Sequence, residues 1–593
     1  MPSLDYVPYE LYVRQWPPCG WRLRKTTDDP LAYTCGTTDS KLSFDTFFGA
    51  LSLRGWRSAK SGLPIALVID YAGALHLQVW HRSQRQAAQL ICEYKQYATR
   101  RSSIFIQVPE ELQKGIVYPV VASAEGGDLV LFSMRYVTVT PPSFSPQIGI
   151  IMPTYRREPY VVANIEKFLA WRQENPQPDI TLFVIDNGRT LQQSATNGNV
   201  RIIPNRNVGG AGGFARGLLE AEAAGCTHVI FCDDDVIIEP EAFARTYAFF
   251  SIADQRSIIG GGMLRMGAKH ILHELGALRK GLSCYPQKYQ WNLCDFERVA
   301  EYDDLSIAAS QDKLFYFGWW YFAAPMQVFR TRKWPLPFFF RYDDQEYSAR
   351  CYDLHFVTLL GVAVWHEDFE KKDAPITDYY IARNGLITSW LHNQLCLIAL
   401  ACVYRMCVAL LTYRYDRAQF ILWGIRDALR GPSWLERLDE EQYHQQLLRT
   451  QCQRMQPIEK PTKLPIAVNP PKSLLRKILI ISTVNGHLLP ACSIKALWRQ
   501  DDPDRRVYRH LHDTHLGAIF LRPEVCYYEP STKQGILCVV SPQRFWQIAA
   551  QLLWIMPWFI STLFLQRWRW RRAYHRLITP EAWRKRLKLG LSD

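Results

Sequence analysis

Apolar and polar positions alternate through the first quarter of the chain. Leu75, Leu77 and Val79 alternate with polar neighbours, and Leu129 and Leu131 belong to a second such run. A period of two predicts half-buried strands, and Glu125-Gly126-Gly127-Asp128 supplies a turn between runs. Residues 1–143 are therefore expected to form a β-sandwich or jelly-roll module, closed by the linker Pro141-Pro142-Ser143.

The pattern then changes. Ile148–Met152 is a continuous apolar run followed by the polar turn Pro153-Thr154-Tyr155-Arg156-Arg157, and helical spacing follows over about 159–173. Ile180–Ile185 ends in Asp186-Asn187-Gly188, Val200–Ile203 leads to Asn205-Arg206-Asn207-Val208-Gly209-Gly210-Ala211-Gly212-Gly213, and a helix is predicted from Phe214. A fourth run, Val229-Ile230-Phe231-Cys232, ends in Asp233-Asp234-Asp235. Strands alternating with helices, each strand closing on polar residues, predict an α/β domain over 144–384. Its parallel, doubly wound sheet should carry its site at the C-terminal strand edge. A helical region is expected over 385–455, with residues 396–411 as a packed amphipathic helix because Arg405 interrupts them. Residues 456–472 hold five prolines and read as a linker; 473–544 show no clear period.

At 593 residues the chain exceeds one core, and 48 % hydrophobic with 21 % charged residues describes a globular protein. The opening Met-Pro-Ser-Leu-Asp-Tyr-Val-Pro has no basic stretch followed by an apolar run, so no signal peptide is expected. The fifteen cysteines show no C-x-x-C pairing and read as reduced thiols of a cytoplasmic protein. The net charge of +14 is concentrated late: Arg567–Lys588 carries nine Lys/Arg against Glu581 alone. Before it, Phe545–Leu565 is apolar and close to the roughly 20 residues that span a bilayer. Pro557 and the Trp-rich basic segment that follows favour a helix lying in the membrane interface, a separable tail attached to the cytoplasmic face. Nothing else supports a nucleic-acid partner. Self-association stays open.

Three carboxylates at the end of a buried strand need something positive, and Mg²⁺ or Mn²⁺ completed by a diphosphate meets that need; a solvated acidic turn is the plainer alternative. The glycine cluster at a helix start lets backbone approach a phosphate, although flexible loops also collect glycine; it lacks the P-loop pattern. Asp186 suits a nucleoside hydrogen bond or a turn. Trp319-Trp320 precede a second acidic element, Arg341-Tyr342-Asp343-Asp344, in which one carboxylate can hold a hydroxyl while its neighbour takes the proton. His366 ends the short apolar run Val362-Ala363-Val364-Trp365 and makes a third metal ligand. Arg383, on a predicted helix, meets either a phosphate or an acid. Cys232 reads as inert core.

The order Asp-Asp-Asp, Trp-Trp, Tyr-Asp-Asp, Trp-His, after a β module and before a helical tail, resembles the bacterial galactofuranosyltransferases, which belong to the GT-A, family 2 glycosyltransferases. The resemblance covers residues 1 to about 400 in organisation and 148–384 in motifs. It implies a GT-A fold with a mixed sheet and inverting transfer from a UDP-sugar to a lipid-linked glycan acceptor. Asp233, Asp235 and His366 would hold Mn²⁺ or Mg²⁺. Asp344 would be the base, and Asp343, Trp319, Trp320 and His366 would face the acceptor. Thr154, Arg156, Asp186, Asn207, Gly209, Gly210, Gly212, Gly213, Asp234 and Arg383 would lie on the donor side. Tyr342 departs from a mycobacterial member's Trp, and Glu367 also departs from the family pattern. A rhamnose or galactopyranose donor, or a non-catalytic glycan-binding protein, are the rival readings.

Overall fold

The computed structural model of the chain describes residues 9–14, 42–124, 127–192, 198–280, 283–302, 315–368, 374–392, 395–458, 474–499, 505–530 and 532–589. Most of the proline-rich linker expected at 456–472, and half of the turn at 125–128, lie outside these residues.

The alternating N-terminal runs pair into one seven-stranded antiparallel sheet. Its spine is Ile65–Arg82 against Gln89–Val108, and Ile116–Ser123 and Leu129–Thr138 also pair with Ile65–Arg82. The core of this region continues into the next domain. Phe48 stacks on Trp365 at 5.7 Å, and Arg245 Nη2 donates to the Phe48 carbonyl at 2.7 Å. The residue preceding His366 therefore packs on the N-terminal region.

The α/β region is built on a seven-stranded sheet. Its order is Val200–Pro204, Ile180–Asp186, Ile148–Thr154, His228–Cys232, Tyr321–Pro325, Ser257–Gly260 and His355–Val357. The first four strands are parallel; Tyr321–Pro325 runs against both of its neighbours. The sheet is mixed and covered on both faces, because successive residues of a strand point to opposite sides. Ile148, Ile150 and Met152 join Val161, Ile165 and Phe168 of the helix Glu158–Glu174, whereas Ile151, Phe183 and Ile185 pack on Phe214 and Leu218 of the helix Gly209–Ala223. A five-stranded sheet joins Val236–Ile237 to Ala363–His366, then to Gly262–Arg265, Ile271–Glu274 and Trp291–Asn292.

The helical pattern beyond 375 forms Thr377–Leu391, Leu395–Leu411, Tyr415–Arg430, Pro432–Arg437 and Glu440–Thr450. Gly431, at φ 86°, and Pro432 break what would otherwise be one helix. The unassigned 473–544 stretch contains a helix, Leu474–Ser482, and three strands of a small sheet.

The C-terminal segment corrects an expectation. The helix Pro542–Leu577 lies on the protein along its length. Phe545, Ile548, Ile555, Phe559, Gln566, Trp570, Ala573 and Leu577 form its buried stripe at helical spacing. The short helix Pro580–Arg586 after it buries Trp583 in the α/β core, where Nε1 donates to the Pro335 carbonyl at 2.9 Å. This end of the chain is part of the fold, because a buried tryptophan cannot be removed without leaving a cavity.

Candidate active site

The site lies at the C-terminal edge of the four parallel strands. The strand His228–Cys232 delivers Asp233, Asp234 and Asp235, and the chain re-forms a strand at Val236–Ile237. That strand pairs antiparallel with Ala363–His366 in a register that sets Val236 opposite His366. Two elements 130 residues apart thus deliver three ligand atoms lying within 4.8 Å of one another, on Asp233, Asp235 and His366. His366 Nε2 lies 3.7 Å from Asp233 Oδ2 and 3.3 Å from Asp235 Oδ1. Its Nδ1 is 2.6 Å from the Glu367 carbonyl, which can only accept, so Nδ1 carries the proton and Nε2 faces the carboxylates.

The carboxylates repel one another. Burial and then the charges of Asp233 and Asp235 push Asp234 up to about 7, against the Thr154 hydroxyl and the Tyr155 N–H. Arg157, which the sequence reading passed over, lies 3.9 Å from Asp235 and 3.3 Å from Glu367. Two carboxylates and an oriented imidazole suit a divalent cation such as Mn²⁺ or Mg²⁺. Cys232 is fully buried and its thiol is held well above its usual range by burial and then by the three aspartates, so it is inert.

The second acidic element opens the helix Asp343–Arg350. Arg341 and Tyr342 before it both hold left-handed backbone, at φ 65° and 71°, a conformation costly for large side chains. The turn is clamped from two sides. Asn384 Nδ2 donates to the carbonyls of Phe340 and Arg341 at 3.0 and 2.9 Å, and the Gly210 N–H donates to Phe339 at 3.0 Å. Burial and then the charge of Asp343 hold Asp344 above the carboxylate range. Burial also raises Asp343, and Asp233 adds to both. The charge of Asp233 therefore reaches both carboxylates of the second acidic element. Glu274, which the sequence reading missed, is a third acid there: burial and then Asp344 push it up to about 8. It ends the strand Ile271–Glu274, whose His273 leaves no apolar run for the sequence to mark.

Other expected site residues have different surroundings. Thr154 is buried beside Asp234, and Arg156 is exposed at φ 58° over the Tyr155 ring. The Asp186 oxygens accept the N–H groups of Gly188, Thr190 and Leu191, which makes it a turn former. Asn207 Oδ1 accepts from the Gly209 N–H, and its amide donates to Glu441. The glycines chiefly serve packing. A Cβ on Gly209 would lie 2.0 Å from the Phe339 oxygen, on Gly212 2.1 Å from Val208 Cγ2, and on Gly213 2.4 Å from Pro153 Cβ. Only at Gly210 is the nearest atom a site carboxylate oxygen, Asp343 Oδ2 at 3.6 Å.

Arg383 corrects the expectation of a donor contact. It is buried, and its guanidinium is spent on Glu440, Tyr379 and Asn384. Trp319 corrects the expectation of an acceptor-facing ring: it is packed edge-on among Phe214, Phe231 and Tyr347 in the core. Trp320 is also buried, but its ring lies edge-on to His366 at 6.4 Å and its Nε1 donates to Gly261 at 3.0 Å.

Residues 149–274, which contain the Asp triplet and the glycine cluster, match the family model described as Glycosyl transferase family 2. The chain carries a family 2 glycosyltransferase domain. It is 25 % identical over 389 residues to the galactofuranosyltransferase GlfT2 of Mycobacterium tuberculosis, covering 60 % of this chain and 59 % of that one. It is also 25 % identical over 383 residues to GlfT2 of Mycolicibacterium smegmatis, covering 60 % and 58 %. The match thus spans less than two thirds of each relative's length. Among solved structures, a mannosyltransferase from Pyrobaculum calidifontis in complex with GDP-Man and Mn²⁺ aligns over 52 % of this chain and 86 % of its own. At 12 % identity and a TM-score of 0.27 that likeness carries no argument.

Proposed function

We propose that this family 2 domain transfers galactofuranose from UDP-galactofuranose to a hydroxyl of a lipid-linked bacterial surface glycan, with inversion and with a divalent cation bound. The observation that carries the reading is the cluster of Asp233, Asp235 and His366 on one strand edge, fit for a metal–diphosphate, with the carboxylate pair Asp343 and Asp344 within its electrostatic reach. In this reading residues 144–384 are a GT-A domain, preceded by a β module built on one antiparallel sheet, rather than the sandwich expected, and followed by a helical region.

Asp233, Asp235 and His366 would hold Mn²⁺ or Mg²⁺, which when bound supplies positive charge for the departing UDP. Asp344 accepts the proton of the acceptor hydroxyl as its oxygen bonds to the sugar C1. The bond from C1 to the diphosphate oxygen breaks, and UDP leaves on the opposite side. Asp343 orients the hydroxyl, and the raised affinity of Asp344 for a proton suits it to that step. The galactofuranose donor is taken from the printed activity of the two mycobacterial relatives.

The acceptor's lipid agrees with the outer face of the helix Pro542–Leu577. Trp554 and Phe564 are each 79 % exposed, Leu553 and Ile560 lie beside them, and the exposed Arg571 and Arg572 follow. The helix Leu474–Ser482 adds exposed Leu474, Leu475 and Ile481, and the turn after it meets the long helix where Trp546 Nε1 donates to the His487 carbonyl. Apolar groups next to arginines match an anionic bilayer surface. The buried stripe on the inner face of the long helix favours lying on the membrane over crossing it, although the helix is long enough to cross.

The test is UDP release from a panel of UDP-sugars with Mn²⁺ and a galactoside acceptor. Selective turnover of UDP-galactofuranose is expected. Turnover of UDP-galactopyranose or of a nucleotide-rhamnose instead would replace the donor. No release from any donor would favour a glycan-binding protein.

A further inference from the structure

The helix Pro542–Leu577 joins the exposed apolar face to the helix that carries Asp343 and Asp344. Its middle turns present Leu553, Trp554, Ile560 and Phe564 to solvent, whereas its last turns meet the helix Asp343–Arg350. There the Tyr574 hydroxyl donates to Glu346 Oε1 at 2.7 Å. Glu346 is fully buried, two residues beyond Asp344. It also takes Arg350 Nη2 on Oε2 at 2.6 Å and His392 Nε2 on Oε1 at 3.0 Å. Burial pushes its pKa up, but the Arg350 charge and the His392 and Tyr574 hydrogen bonds prevail and hold it at about 2, so it stays ionised.

The contact extends along the chain. Arg350 Nη1 donates to the carbonyls of Arg332 and Trp334 at 2.9 Å, and its guanidinium lies 5.6 Å from the Tyr574 ring centre. The Trp334 N–H donates to Ile578 at 2.9 Å, just past the end of the long helix, and Trp583 holds Pro335. The bonds to Arg332, Trp334 and Pro335 hold the segment that leads through the left-handed Arg341 and Tyr342 into Asp343, and the bonds to Glu346 hold the helix that Asp343 opens. A buried charged network is a poor source of net stability, because desolvation offsets the attraction; what it provides is one defined arrangement.

We propose that Tyr574 and Glu346 are positioning residues, through which the lipid-facing helix sets the placement of Asp343 and Asp344, so that seating the helix on a membrane raises turnover. The proposal rests on the reading of Asp344 as the base and of Leu553–Phe564 as the lipid face. Its physical basis is a population shift. In water the outer apolar face stays unburied, at about 25 cal/mol per Å². Only while the helix is docked do Leu553, Trp554, Ile560 and Phe564 share one surface with the exposed Leu474, Leu475 and Ile481, so a lipid surface that covers both sets binds the docked arrangement better and shifts the population toward the Tyr574–Glu346 bond.

The test compares the full chain with Tyr574→Phe, which keeps the ring and removes the hydroxyl, with and without phosphatidylcholine–phosphatidylglycerol vesicles. UDP release with a water-soluble galactoside and hydrogen exchange over residues 335–350 are both read. Vesicles should raise the parent's kcat about tenfold, the scale of one charge-assisted hydrogen bond, with donor KM unchanged and exchange slowed. Tyr574→Phe should sediment with vesicles as the parent does yet show neither response. Equal responses in the two proteins, or a parent whose exchange at 335–350 ignores vesicles, would overturn the coupling. If the parent releases no UDP from any donor, the transfer reading fails, and the exchange comparison still decides the coupling.

Discussion

His366 Nε2 stands 3.3 Å from Asp235 Oδ1, although the two residues lie 131 positions apart and on different strands. The strand register that sets Val236 opposite His366 brings them together, and the His366 Nδ1 bond to its neighbour's carbonyl turns the ring. The pair forms one side of the proposed cation site, so its loss should be felt first in metal binding.

His366→Ala is expected to weaken Mn²⁺ affinity by more than the roughly 10–100-fold that loss of a supporting partner costs, as read by calorimetry. EDTA should abolish UDP release by the parent. Full activity in chelator, or unchanged Mn²⁺ affinity in the variant, would exclude the cluster as a metal site.

Gly209 and Gly210 should respond oppositely to alanine. Gly209 has φ 83° and no room against the Phe339 oxygen, so Gly209→Ala should cost at least the roughly 1–2 kcal/mol of a left-handed residue and lower Tm. Gly210 has only Asp343 Oδ2 near its added methyl, at 3.6 Å. Gly210→Ala should keep the parent's Tm and reduce kcat. Similar melting of the two variants would contradict the packing account.

The buried acids predict a stability that falls as pH rises. Glu274 and Asp344 are each pushed above their unfolded range, Glu274 to about 8. The folded chain therefore binds more protons than the unfolded chain between about pH 4 and 8, and stability from these groups is lost as pH rises through that window. Glu274→Gln should melt higher than the parent at pH 8.5 and match it near pH 4.5, by scanning calorimetry without metal. Glu346 has the opposite sign: its stabilisation is present above its unfolded value and is lost only as pH falls toward about 2. A Glu274→Gln advantage equal at both pH values would remove the electrostatic cause.

Much of this site was legible before any coordinates, for one physical reason. An apolar run that ends in acids or histidine marks a strand delivering polar groups at a sheet edge, and Asp233–Asp235 and His366 were found that way. The alternation of strand and helix periods predicted the four parallel strands, but not the antiparallel strand Tyr321–Pro325 that makes the sheet mixed. Contacts between distant segments were not legible. Trp319 and Trp320 are adjacent and chemically alike, yet one joins the aromatic core and the other borders His366, a difference set by the turn they form just before the strand Tyr321–Pro325. Arg383 looked free to meet a phosphate because Glu440, its partner, lies 57 residues on. The crowding at Gly209 depends on Phe339, 130 residues away. The C-terminal basic segment read as a separable tail because nothing local says that Trp583 is buried beneath it.

The most direct test of the account is Asp344→Asn, which keeps the shape of the side chain and removes the base. UDP release from the preferred donor should fall by about 10²–10⁴-fold, while Mn²⁺-dependent UDP binding by calorimetry stays at the parent's value. Turnover within a few-fold of the parent, with binding intact, would contradict the assignment of Asp344 as the base.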